Sequence, residues 1–90
     1  MATSTRYFLI YSGRGLPLQL AEELQPADLR NRNTWFEASY DAQGRMCRVV
    51  KMVYGEAEMR HDYRYNEAGQ LVAATITIGD DEPQHMAFAG

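Results

Sequence analysis

The feature that most constrains this chain is a short pattern written twice. Tyr40-Asp41-Ala42-Gln43-Gly44-Arg45-Met46 recurs 25 residues later as Tyr65-Asn66-Glu67-Ala68-Gly69-Gln70-Leu71. In each copy an aromatic residue ends one strand and an apolar residue opens the next. Asp or Asn at the first turn position bonds back to the backbone, and Gly three residues on takes a positive φ. That combination is a type I turn followed by a left-handed glycine. Between the copies lies Gly55-Glu56, which suits a two-residue type II′ hairpin with Gly first. Three tight turns between Trp35 and Ile78 commit half the chain to an antiparallel meander.

From Thr34 onward the apolar period is two. The expected strands are Thr34–Asp41, Arg45–Tyr54, Glu56–Asn66, Gln70–Gly79 and Gln84–Ala89, with Gly79-Asp80-Asp81-Glu82-Pro83 as a looser acidic turn. Before them, Arg6–Ser12 is aromatic and β-branched and reads as a buried strand. The glycine-rich Ser12-Gly13-Arg14-Gly15 that follows lacks the Lys-Ser/Thr ending of a phosphate loop and reads as a turn. Leu16–Leu24 is expected to be helical: Pro17 suits a first turn, Leu20 and Leu24 are spaced i, i+4, and Pro26 stops it. Pro26-Ala27-Asp28-Leu29 suits one further turn. The fold expected is mainly β (α+β): an antiparallel meander sheet of five to six strands, curled or barrel-like, with one short helix after the first strand.

The turn types imply registers. They pair Tyr40 with Met46, Ala38 with Arg48 and Phe36 with Val50, then Met52 with Met59 and Val50 with His61, and finally Tyr65 with Leu71. One face then collects Phe36, Tyr40, Met46, Val50, Met52, Tyr54, Met59, Tyr63, Tyr65 and Leu71. The other is mixed, with Trp35, Cys47, Val49, Val53, Val72, Ala74, Ile76 and Ile78 among charged residues. A sheet with so much apolar area on both faces suggests a barrel-like curl or a partner.

The two turn motifs, with Asn66 in place of Asp and Gln70 in place of Arg in the second copy, resemble the tyrosine–aspartate hairpin repeats of the Rhs/YD class over Phe36 to about Ile76. In that class the repeats build β-shells around a toxin. For this chain the resemblance implies sheet geometry, not toxin delivery. The whole chain, with its Leu-Pro-Leu opening and its Asp28-Leu29-Arg30-Asn31-Arg32-Asn33-Thr34 link, also looks like a small uncharacterised bacterial family that brings no activity with it.

Ninety residues, 46% hydrophobic and 23% charged, make one domain spanning 1–90. A net charge of −3 argues against a nucleic-acid or anionic-membrane partner. The apolar run Tyr7 to Tyr11 is too short for a signal-peptide core or a membrane span. The lone Cys47 has no internal disulfide partner, which points to the cytoplasm.

His61 and Arg48 are expected on the aromatic face beside Tyr63 and Tyr65, either as a satisfied core histidine with Arg48 stacked on Tyr63 or as an anion-orienting pair. Arg30 and Arg32 form a second candidate, a basic link able to meet phosphate or an acidic partner. Two histidines and one cysteine lack metal-site spacing, no cofactor motif is present, and no nucleophile–base pair can be assembled. The function expected is a non-enzymatic protein-interaction module: a small adaptor, inhibitor or immunity-type protein with a tyrosine- and methionine-rich sheet surface. It would take a protein partner or a second copy through a sheet face, or through an edge strand, Arg6–Ser12 or Gln84–Ala89. The second reading is a small-ligand binder with an aromatic cavity oriented by Arg48 and His61.

Overall fold

The computed structural model describes residues 4–12 and 19–88. It forms one antiparallel sheet of seven strands: β1 Ser4–Ser12, β2 Gln19–Leu24, β3 Thr34–Tyr40, β4 Met46–Val53, β5 Glu56–Tyr65, β6 Leu71–Ile78 and β7 Gln84–Ala87. Their spatial order is β2-β1-β3-β4-β5-β6-β7, so β2 and β7 are the two edges and the sheet is not closed into a barrel. Strand β1, expected at an edge, is interior.

The expected helix is corrected. Leu16–Leu18 lie outside the described residues, and Gln19–Leu24 is a strand paired with β1 from Ser12↔Gln19 to Tyr7↔Leu24. A helix this short is marginal by itself, whereas as a strand the segment bonds to the exposed side of β1. Leu20 and Leu24 satisfy a two-residue period as well as an i, i+4 one, and tertiary pairing decides between them. The helical residues are instead the 3-10 turns of Pro26–Asn31, where the Asp28 carboxylate accepts the Gln25 N–H at 2.9 Å.

Both copies of the repeated turn fold alike. Gly44 and Gly69 have φ of +80° and +82°. The Gly44 N–H bonds the Asp41 carbonyl at 2.9 Å, and the Gly69 N–H bonds the Asn66 carbonyl at 3.0 Å. Asp41 Oδ1 accepts the Arg45 N–H, and Asn66 Oδ1 the Gln70 N–H, both at 2.9 Å. The changes in the second copy are matched to each other. Asp41 pairs ionically with Arg45, while Asn66 donates its amide to the Gln70 side chain. Arg45 also ties the turns together, donating to the Asn66 carbonyl at 3.3 Å and lying over the Tyr65 ring.

The middle turn is corrected by one residue. Val53 pairs with Glu56, so Tyr54-Gly55 is the two-residue loop, and both have positive φ, 50° and 78°. That is the type I′ pattern, whose twist matches that of the strands.

The registers hold at the turns and slip beyond them. Tyr40 pairs with Met46, but Ser39 then pairs with Arg48, leaving Cys47 as an extra residue. Tyr65 pairs with Leu71, but Arg64 pairs with Ala73, leaving Val72 extra. Glu58 is extra in the middle hairpin. These are β-bulges, and each moves the following residues to the opposite face. Val49 and Ala74 thereby join the core, with Phe8, Phe36, Ala38 and Tyr63. Leu20, Tyr40, Met46, Met59, Tyr65 and Leu71 pack against them. Val50, expected on that face, instead pairs with Glu37 and Arg60 on the other.

Candidate binding face

Strand β5 supplies the centre of the apolar face. Its alternate residues Met59, His61, Tyr63 and Tyr65 point the same way. Tyr63 is buried in the core cluster, and Tyr65 donates its hydroxyl to the Met46 carbonyl at 2.6 Å. His61 is 6% exposed, the one buried polar side chain among the described residues. Its Nδ1 lies 2.7 Å from the Tyr63 hydroxyl, with the two rings edge to face. Burial holds the imidazole below its ordinary pKa, against the opposing pull of the neighbouring Asp62 carboxylate. Burial likewise pushes the Tyr40 and Tyr65 phenols up.

His61 is a departure from the repeat. Subtracting 25 from its number gives Phe36, just as Tyr63 corresponds to Ala38 and Tyr65 to Tyr40. An imidazole therefore stands where the first copy has a phenyl ring. It borders a cavity of about 210 Å³ lined by Tyr11, Phe36, Lys51, Met59 and His61. Tyr11 sits edge-on to Phe36 with ring centroids 5.5 Å apart. The Lys51 ammonium is held 3.6 Å from the Glu58 carboxylate. Among the described residues no buried side-chain nitrogen or oxygen lacks a partner.

Arg48 is not on this face. It pairs with Asp62, the residue after His61, and its Nε donates to Asp62 Oδ1 at 2.8 Å. Arg60 donates to the other oxygen of the same carboxylate at 2.9 Å. The bulge at Cys47 is the physical reason: without it Arg48 would face Ala38. Arg48 instead joins a wholly polar row across six strands, Thr5, Ser39, Arg48, Asp62, Thr75 and His85. The structure thus brings His61, Tyr63 and Tyr65 together and leaves Arg48 behind them. Arg30 and Arg32 are exposed in the β2–β3 link, and among the described residues neither side chain makes an ion pair. Glu23 pairs with Arg6.

Sequence reasoning missed Lys51 and Tyr11. Lys51 was hidden by the same slip that displaced Arg48. The His61–Tyr63 bond had a readable signal, two polar-tipped rings spaced i, i+2 on one strand.

Cys47 is half-buried, with its thiol 3.4 Å from the Ser39 carbonyl. Among the described residues no group of three His, Cys, Asp or Glu side chains is placed to hold a metal ion, and no helix is long and apolar enough to cross a membrane.

No curated protein and no solved structure matches the chain. A family described only as a family of unknown function, DUF6156, matches it over residues 1–90, and the chain belongs to that family.

Proposed function

We propose that this chain is a non-enzymatic protein-interaction module that binds its partner on the tyrosine- and methionine-bearing face of the sheet. The observation that carries the reading is the incomplete layering. A sheet with one apolar face normally buries it against a helix or a second sheet. Among the described residues neither is present, and Tyr11, Ile78 and Met86 remain exposed on or beside that face. Tyrosine and methionine suit such a surface because they combine large apolar area with a polar or adaptable tip. The opposite face carries the polar row, in which the Asp62 carboxylate is flanked by two exposed guanidiniums. The free thiol of Cys47 supports a cytoplasmic setting. The recurrence of turn and bulge at one offset supports reading the two copies as tyrosine–aspartate-type hairpin repeats, used here as a platform.

Substitutions on the two faces test this. Ile78→Lys and Tyr11→Lys alter the apolar face, and Thr77→Lys the polar one. Pull-down from a native lysate should retain a partner with the wild type and with Thr77→Lys, and lose it with the other two. Retention indifferent to the face altered would overturn the proposal, as would no retention at all.

A small-ligand reading has one observation in its favour, the cavity beside His61 and Lys51. Its volume of about 210 Å³ falls below the ~300–1,000 Å³ usual for ligand pockets. Native mass spectrometry that found a small molecule carried through purification, and lost on Lys51→Ala, would reverse the ranking.

A further inference from the structure

The two edges of the sheet are built differently. Strand β2 carries Glu22 and Glu23, and Glu22 has a φ of 60°, which breaks the extended row of backbone groups. Charge and local distortion are the usual ways of keeping an edge from pairing. Strand β7 has neither. Its residues Gln84, His85, Met86 and Ala87 are exposed, carry no acid, lysine or arginine, and contain no proline. Met86 is 41% exposed, Phe88 just beyond it 37%, and Ile78 on β6 53%.

We propose that β7 pairs antiparallel with β7 of a second copy, centred on Met86, to give a continuous sheet of two chains. The inference does not rest on the proposed face-binding function, because an edge can pair whether or not the face is occupied.

The register follows from the backbone. The Phe88 N–H bonds the Val72 carbonyl on β6 at 2.9 Å. Backbone groups alternate along a strand, so those of Met86 and Gln84 also point to β6. The groups of His85 and Ala87 therefore point outward. In an antiparallel pair about a two-fold axis, His85 faces Ala87 of the second copy and the reverse, giving four N–H···O bonds. Met86 then lies opposite its own equivalent in a non-hydrogen-bonded pair, where side chains approach most closely. Met86 belongs to the row Tyr63, Ala74, Met86, so the apolar face continues unbroken into the second copy.

Charge selects this arrangement. Asp80, Asp81 and Glu82 precede β7. A parallel pairing would set the two acidic turns side by side. In the antiparallel register, eight residue steps separate one Glu82 from the other, about 27 Å along the strands. That exceeds the ~8 Å screening length at physiological salt. An axis perpendicular to the sheet also leaves both apolar faces on the same side.

Light scattering on the full chain over a concentration series, with cysteine cross-linking in a Cys47→Ser background, tests the proposal. The mass should double as concentration rises, and Ala87→Pro should keep it single. That substitution removes an outward donor and leaves the β6 ladder intact. Under mild oxidation Met86→Cys should form a disulfide-linked dimer, because its Cα atoms would sit at disulfide distance, and Gln84→Cys should not. A strictly monomeric wild type at millimolar concentration would overturn the proposal. So would cross-linking as efficient through Gln84→Cys as through Met86→Cys, or a dimer indifferent to Ala87→Pro.

Discussion

Replacing Tyr54 by Asn is expected to stabilise the protein. Tyr54 is 76% exposed, so its ring contributes little burial, yet its φ is 50°. The left-handed region costs an L-residue about 1–2 kcal/mol, a cost that Asn largely escapes through local hydrogen bonding. Asn followed by Gly is also the preferred pair for a type I′ turn. The backbone bond from the Tyr54 N–H to the Asn33 carbonyl, 2.7 Å, involves no side chain and survives the change. A gain of about 1 kcal/mol follows, which in a domain of this size raises Tm by roughly 4–8 °C. Thermal unfolding followed by far-ultraviolet circular dichroism measures it, with Tyr54→Val as the opposite control, since β-branched residues tolerate positive φ worst. The sign is diagnostic. If Gly55-Glu56 were the turn, position 54 would be an ordinary strand position and Asn would destabilise it. A fall in Tm, or no change, refutes the Tyr54-Gly55 turn.

Gly44→Val and Gly69→Val are each expected to cost about 1–2 kcal/mol or more, read as a drop in the urea midpoint. A Cβ at Gly44 meets nothing within 4 Å, and at Gly69 only the Arg45 guanidinium at 3.8 Å, so the cost is conformational and Gly→Asn should restore much of it. His61 gives a pH dependence. Its folded pKa lies below the unfolded value, so the unfolded chain takes the proton first. Stability is then full above about pH 6.5, falls as pH drops through that value, and levels off below the folded pKa. Urea titrations at several pH values should show this slope, and His61→Phe should remove it. Asp41 adds a second loss at lower pH. Bonds from the Arg45 and Gln43 backbone, with the Arg45 guanidinium, hold its carboxyl below the ordinary value, so Asp41→Asn should flatten the acid limb of the same titrations. Arg48→Ala should change stability by no more than about 1 kcal/mol, because its pair with Asp62 is exposed and Arg60 remains. A larger effect on the urea midpoint would mean that Arg48 does more than its position on the polar face accounts for.

Strand positions from Thr34 onward were legible because turn chemistry is local. Asp41, Gly44, Asn66 and Gly69 announce their hairpins whatever surrounds them. The β2 segment was not legible, since six residues with leucines at 20 and 24 fit either period, and only the exposed side of β1 decides. Bulges were illegible to a strict two-residue alternation, which carried Arg48 and Val50 to the apolar face and Val49 away from it. The placement of Arg48 carried a warning. It put a guanidinium opposite Ala38 in the middle of an apolar face, while Val49 was the better partner. Arg30 and Arg32 were legible as exposed and basic, and their surroundings add no ligand chemistry to that.

The bulges do leave a mark, and it is the repeat itself. Met46 and Val49 share the apolar face although they stand three positions apart, and 25 residues on Leu71 and Ala74 do the same. An i, i+3 spacing of inward residues is impossible in a regular strand and is what one extra residue produces. The repeating unit is therefore larger than the turn. It runs from Phe36 through Ala38 and Tyr40, around Gly44, to Met46 and Val49, and again from His61 through Tyr63 and Tyr65, around Gly69, to Leu71 and Ala74. Every position in it that faces the core in the first copy packs in or beside the core in the second. Within that unit the apolar character is kept everywhere except at His61, where a titratable ring replaces Phe36. A buried polar group costs stability unless it is hydrogen-bonded, and Tyr63 stands where Ala38 does in the first copy, with its hydroxyl at the imidazole. The two departures compensate each other as Asn66 and Gln70 do in the turn. The second copy thus differs from the first in pairs, once at the turn and once at the centre of the apolar face, where His61 borders the cavity beside Lys51. His61 and Tyr63 should for that reason be coupled: in a double-mutant cycle with His61→Phe and Tyr63→Ala, the two changes together should cost less than the sum of the single ones.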